Sequence, residues 1–263
     1  MATVYQVTSG IAPIRRTPQP DGPQDTQLLA GETFTVEREE NGFGYGTSGL
    51  DGYQGWVDME ALSAPALIPT HQVKALRTYV FSEPDIKSAP VCLISLNAKI
   101  VGARRSGRFV EAQRMGWVIE AHLRPVGEDH EADWVAVAER FLNAPYFWGG
   151  KESLGLDCSG LIQTAMEAAG RLIPRDSGPQ EAWAKERWTP VEIREDFSGL
   201  QRGDLVFWPG HVGVMTDAET LLHANGHHMM TVAEPLARAA KRIAHQYAPM
   251  SGIYRDPGRG GHG

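Results

Sequence analysis

The sequence predicts an α+β protein in which small all-β modules precede a mixed helix-and-sheet domain. Three observations carry that reading. A Gly-Trp-Val triplet occurs twice in the first half, at Gly55-Trp-Val57 and Gly116-Trp-Val118. An apolar run of helical periodicity, Leu161 to Ala169, follows directly on Asp157-Cys158-Ser159-Gly160. Beyond it lie three short apolar runs bounded by turn residues, 204–208, 211–216 and 220–224, the pattern of successive strands.

Each Gly-Trp-Val triplet is preceded by an apolar, alternating segment, Phe34-Thr-Val36 in one case and Ile100-Val101 in the other. Each is followed by a leucine, Leu62 or Leu123. Glycine-rich turns separate the runs, which suits small barrels or sandwiches that repeat once. Boundaries fall near Pro65 and near Gly127-Glu-Asp129. The chain then divides into residues 1–64, 65–127 and 128–257, with a glycine-rich, flexible tail expected at 258–263. In the third part, Ala132 to Asn143 reads as a helix with Val135, Ala138, Phe141 and Leu142 on one face. A second helix covers about 158–169 and ends near Gly170. Pro174-Arg-Asp-Ser-Gly-Pro-Gln180 reads as a polar loop, and Glu234 to Ala240 as a short helix.

With 263 residues, 42% hydrophobic and 22% charged, the chain is long enough for two or three folded domains. A net charge of −7 argues against nucleic acid or an anionic membrane as partner. The N-terminal stretch has no basic patch followed by an apolar core, so no secretory signal is expected. No apolar run approaches the roughly 20 residues that span a bilayer. The only cysteines are Cys92 and Cys158, which gives no disulfide framework and suits a reducing compartment. Cys92, in the apolar run Val91-Cys-Leu-Ile94, reads as a buried thiol. The expected location is cytoplasmic.

Cys158, His211 in Gly210-His-Val-Gly-Val-Met215 and His223 in Leu221-Leu-His-Ala224 form the inventory of a cysteine nucleophile, a general base and a group that orients the base. Each alone has a plain reading, as a small buried thiol or a core histidine. The position of Cys158 at a helix N-terminus favours thiolate over thiol. Ser159 and Gly160 leave room for substrate. His211, Gly213 and Met215 share one strand face, expected to be the one toward Cys158. The backbone N–H of Cys158 is a natural oxyanion donor. Asp157 and Asp176 lie near enough in sequence to bind a charged substrate, or to serve as cap and turn residues. His223, His227 and His228 are split by the turn signal Asn225-Gly226 and have no further ligand set, so no metal or other cofactor is expected.

In chain order, Tyr146-Phe-Trp-Gly-Gly150, Asp157-Cys-Ser-Gly160, Pro174-Arg-Asp-Ser177 with Gln180, Gly203-Asp-Leu-Val-Phe207, Gly210-His-Val-Gly213 and His223 resemble the NlpC-type family of papain-like cysteine peptidases. The repeat ahead of them is similar to bacterial SH3-like domains. The resemblance implies a papain-like catalytic domain preceded by two SH3-like barrels. It also implies cleavage of bacterial cell-wall peptides, with Cys158, His211 and His223 as the catalytic residues. Tyr146 is then either a second oxyanion donor or a packing aromatic. In members that release a dipeptide, acidic and hydroxyl groups hold the free amine of L-Ala. Here these would be Asp157, Ser159, Asp176 and Ser177, with Tyr53 and Glu32 of the first SH3-like domain closing the pocket. Glu32 is equally readable as a turn residue.

The expected reaction is hydrolysis of the γ-D-glutamyl–diamino acid bond in small murein peptides by a monomer or weak oligomer. Two alternatives are an exported hydrolase acting on intact wall and a non-catalytic protein that binds wall peptides.

Overall fold

The computed structural model describes residues 2–259. The chain forms two compact units, Met1–His130 and Glu131–Gly263.

The first unit is built from antiparallel strands, and its topology repeats. Strands Gln24–Leu29, Ile11–Arg15, Gln54–Asp58, Phe43–Ser48, Thr33–Glu40, Thr3–Val7 and Leu62–Ser63 lie side by side in that order. The second half of the unit uses the same pairings. Arg77–Phe81 lies between Pro90–Ser95 and Gly116–Ile119, as Ile11–Arg15 lies between Gln24–Leu29 and Gln54–Asp58. His71–Val73 lies between Lys99–Ile100 and Leu123–Pro125, as Thr3–Val7 lies between Thr33–Glu40 and Leu62–Ser63. Both Gly-Trp-Val triplets stand in equivalent strands, and a single 3₁₀ turn follows each, Met59–Ala61 and Glu120–His122. The hairpin before the first triplet closes on Asn41-Gly42, both at positive φ (51° and 81°), the conformation that two-residue turns between twisted strands require.

The two halves share a core. Leu29 and Ala30 pack in one buried cluster with Val73, Val80, Ile94, Ile100, Val110 and Val118. Cys92 is only partly buried at the margin of this cluster.

In the second unit an antiparallel sheet runs Thr189–Pro190, Gly252–Arg255, Leu205–Trp208, His211–Met215, Thr220–Asn225, Met230–Pro235. Among the described residues four helices accompany it: α1 (Trp134–Glu139), α2 (Cys158–Ala168), α3 (Ser177–Arg187) and α4 (Leu236–Gln246). Every residue of α2 is buried. It packs on α1 and on the strands His211–Met215 and Thr220–Asn225. The nucleophile candidate is thereby fixed to the strands that carry both histidines.

The sequence reading is corrected at four places. The helix expected over Ala132–Asn143 is only Trp134–Glu139. Asp133 caps it by accepting the Val135 N–H, turns follow, and Asn143 has a positive φ of 67° that ends any helical path. Trp134 and Val137 join its buried face, while Leu142 is exposed. The polar loop after α2 runs straight into α3 at Ser177, because Pro179 falls in a first turn, where its missing N–H has no helical partner to lose. The helix expected from Glu234 begins at Leu236 and runs to Gln246, and Glu234 stands in a strand. Of the expected tail, Gly258 and Arg259 belong to a 3₁₀ turn, Pro257–Arg259, and the rest lies outside the described residues. No helix among the described residues is long and apolar enough to cross a membrane.

Candidate active site

Cys158 is the first residue of α2, and Asp157 is its N-cap. The N–H groups of a helix's first turn have no acceptor within the helix. Here Asp157 Oδ1 takes that of Gly160, at 2.7 Å. Gly160 is required by its surroundings, since a Cβ there would lie 2.1 Å from the carbonyl oxygen of Gly150. The close approach fastens the Gly149-Gly150 loop to the start of α2.

Asp157 was read as a substrate ligand or a helix cap. The structure bears out the cap, and the carboxylate has further partners in the protein. Oδ2 accepts the Gly149 N–H at 2.9 Å and Arg175 Nη2 at 2.7 Å. Oδ1 accepts Arg175 Nη1 at 2.9 Å and the Ser159 hydroxyl at 3.3 Å. Ser159 is buried as well, its Oγ also 3.0 Å from Arg175 Nη1. Arg175 is 3% exposed and takes no part in the sequence reading, although it stands inside the quoted Pro174-Arg-Asp-Ser motif.

The two histidines come together. His211 starts the strand His211–Met215, entered through a two-residue turn, Pro209-Gly210, with Gly210 at φ 75°. In the next strand Leu222 pairs with Val214, which puts His223 opposite Gly213 and diagonal to His211 on one face. Gly213 leaves the space that His223 fills, as a Cβ there would be 3.1 Å from His223 Cβ. The result is a 2.8 Å hydrogen bond between His211 Nε2 and His223 Nδ1. Behind it, His223 Nε2 lies 2.9 Å from Glu234 Oε1. Arg242 of α4 binds both oxygens of that carboxylate, at 2.8 Å from Nη1 to Oε2 and in a second, closer contact from Nη2 to Oε1. Glu234 and Arg242 carry no role in the sequence reading, because the strand that presents Glu234 reads there as helix.

Cys158 is 8% exposed, and its sulfur is hydrogen-bonded by backbone N–H groups of Ser159 and of Val212, the neighbour of His211. Burial and the nearby Asp157 raise its pKa to about 12, against the smaller opposing pull of those N–H groups and Arg175. Burial, with His223 and Arg242, lowers that of His211 to about 3. Desolvation thus opposes the thiolate that the helix N-terminus favours, and favours thiol and neutral imidazole.

Tyr146 is partly buried. Burial first, then Cys158 and Asp157, push its phenol up, so it stays a proton donor. It lines a cleft of about 680 Å³ with Trp148, Gly210, His211, His223, Arg242 and Tyr247 among others. Asp176 is exposed at the N-cap of α3, and Ser177 is the first residue of that helix. In the first unit, Glu32 is buried and its Oε2 accepts the Leu29 N–H, which bears out its reading as a turn residue. Tyr53 is partly buried against the core that contains Phe34 and Val57.

Residues 143–247 match the NlpC/P60 family, and residues 14–62 match the bacterial dipeptidyl-peptidase SH3 domain. This chain carries an NlpC/P60 domain. The matched segment contains Tyr146, Cys158, Asp176, His211, His223, Glu234 and Arg242, and its pairing of cysteine with histidine is the residue set of a cysteine peptidase. The fold agrees over most of the chain. An NlpC/P60 family protein from Bacillus cereus superposes with a TM-score of 0.76 over 96% of this chain and 99% of its own, at 19% identity. Among relatives, a γ-D-glutamyl-L-lysine dipeptidyl-peptidase of Bacillus subtilis is 27% identical over 66% of this chain and 60% of its own. The dipeptidyl-peptidase 6 of Lysinibacillus sphaericus is 39% identical over 35% of this chain and 31% of its own. The chain thus spans less than two thirds of the length of either relative.

Proposed function

We propose that this protein is a cysteine peptidase that hydrolyses the γ-D-glutamyl–diamino acid bond of small murein peptides with a free N-terminal L-Ala, releasing L-Ala-γ-D-Glu. One observation carries the reading. An SH3 domain of the bacterial dipeptidyl-peptidase kind and an NlpC/P60 domain holding Cys158, His211 and His223 occur in a single chain.

In the proposed reaction the Cys158 sulfur attacks the γ-carbonyl carbon of D-Glu and its proton passes to His211. The backbone N–H of Cys158 and the Tyr146 hydroxyl donate to the oxyanion. His211 returns the proton to the departing α-amine of the diamino acid as the C–N bond breaks. Water, deprotonated by His211, then hydrolyses the thioester, which releases L-Ala-γ-D-Glu and restores the thiol. Asp176 and Ser177, at the exposed start of α3, are the proposed partners of the free L-Ala amine. Such free fragments are the material of murein peptide recycling.

The test compares kcat/KM for L-Ala-γ-D-Glu-L-Lys with that for the same peptide acetylated on L-Ala. Loss of the amine's charge should lower the rate by roughly 10²-fold or more, as a site built to bind a charged group discriminates strongly against its absence. Equal rates would replace this reading with that of a hydrolase acting on intact, N-linked wall peptide.

A further inference from the structure

Four side chains form one continuous line: His211, His223, Glu234 and Arg242. The first two belong to the proposed chemistry. We propose that Glu234, held by Arg242, is a positioning residue that fixes which nitrogen of each histidine carries a proton, and so makes His211 a base.

The argument runs outward from the carboxylate. Burial opposes ionisation of Glu234, but hydrogen bonds from Arg242 and His223 outweigh it and hold its pKa well below the usual carboxylate range. An ionised carboxylate can only accept hydrogen bonds. His223 Nε2, 2.9 Å away, must therefore carry a proton and donate. His223 is fully buried, and burial favours its neutral form against the opposing pull of Glu234. A neutral imidazole has one N–H, so His223 Nδ1 is bare and accepts. Its partner at 2.8 Å, His211 Nε2, must then be the donor. In neutral His211 this leaves Nδ1 unprotonated, the state in which it takes a proton from Cys158.

The line has a polarity, and Arg242 would reverse it if Glu234 were absent. A guanidinium only donates. Facing His223 directly, it would favour a bare Nε2 there and a proton on Nδ1. His211 Nε2 would then have to accept, the His211 proton would sit on Nδ1, and the base would be blocked. Glu234 thus sets the direction of the hydrogen bonds as well as the orientation of the rings. The fold places it for this purpose: it lies diagonal to His223 across an antiparallel pair, since His223 faces Val232 in the register.

The experiment is nitrogen NMR of the full-length protein with ¹⁵N-labelled histidine rings, each assigned by its His→Gln variant. In the wild type at neutral pH both His211 and His223 should show the neutral form protonated on Nε2. In Glu234→Ala the His211 signal should move to the Nδ1-protonated form. The kcat for the peptide substrate should fall by roughly 10²-fold or more with KM nearly unchanged, the size of effect expected when a general base is lost. A wild-type His211 protonated on Nδ1 would overturn the proposal, and that result does not depend on whether any variant folds. So would a Glu234→Ala protein that keeps both wild-type ring signals and its kcat to within about threefold. The inference rests on the peptidase reading only for the kcat measurement. The ring signals need no substrate, so a failure of the peptidase reading would leave them as a separate test.

Discussion

Arg175 holds the carboxylate of Asp157 with both terminal nitrogens, at 2.7 and 2.9 Å, directly beneath the first turn of α2. The arginine side chain is 2% exposed and the aspartate side chain 10%. The pair also collects the Gly149 N–H, the Gly160 N–H and the Ser159 hydroxyl. One buried ion pair thereby fixes the loop before Cys158, the helix that begins with it and the segment leading to α3.

Arg175→Met should therefore leave a buried carboxylate without its counter-charge. Removing one partner of such a pair costs about 3–5 kcal/mol. Urea denaturation should show a loss of that order, and adding Asp157→Asn should restore most of it, since asparagine keeps the N-cap without the charge. A single-variant loss below about 1 kcal/mol would show that the pair contributes little.

Burial sets the reactivity of Cys158. With the thiol raised to about 12, its alkylation by iodoacetamide in a Cys92→Ser background should accelerate steadily as pH rises from 7 to 10, with no plateau. A rate that is flat between pH 5 and 8 would mean a resting thiolate paired with imidazolium, and would contradict the neutral pair.

The histidines also couple stability to pH. His211 is lowered to about 3 and His223 is lowered in the same direction, while an unfolded histidine titrates near 6.5. Below about pH 6.5 the unfolded chain binds protons that the folded protein refuses, so stability falls as pH falls, toward about 3 for His211. Between pH 7.5 and 5, a window largely above carboxylate titration, the urea midpoint should drop, and His211→Ala should reduce the slope. A midpoint that stays flat or rises on acidification would contradict the assignment.

Gly213→Ala tests the packing beneath the histidine pair. The added methyl would meet Leu221 Cδ1 at 2.8 Å and His223 Cβ at 3.1 Å. The end of the buried Leu221 side chain must shift, and His223 Cβ and the Leu222 carbonyl, also at 3.1 Å, must give. Peptide hydrolysis should fall at least tenfold, with a loss of stability of about 1–3 kcal/mol, the usual cost of overpacking. Unchanged activity would show that the position of His223 is not critical.

Much of this site can be read from the chain itself. Cys158 before an apolar helix, and two histidines in short strands, are local patterns, and the repeated Gly-Trp-Val strand reports its own equivalence. What escapes the sequence is what only packing decides. Arg175 looks like an ordinary loop residue until Asp157 is seen to be buried. Glu234 sits in Met230–Pro235, whose flanking alanines and leucines extend the helical pattern backward, so both its strand and its link to His223 are hidden. The pull of burial on the Cys158 thiol is hidden too: helix position is visible in sequence, and desolvation is not.

The central claim is that Cys158 forms a covalent intermediate. Rapid acid quenching of the wild-type enzyme with L-Ala-γ-D-Glu-L-Lys, followed by peptide mapping in a mass spectrometer, tests it directly. The account predicts an L-Ala-γ-D-Glu adduct on the peptide containing Cys158, no adduct and no turnover in Cys158→Ala, and turnover reduced by roughly 10²–10⁴-fold in His211→Ala. Hydrolysis that persists in Cys158→Ala, or an adduct mapped to any other residue, would contradict it.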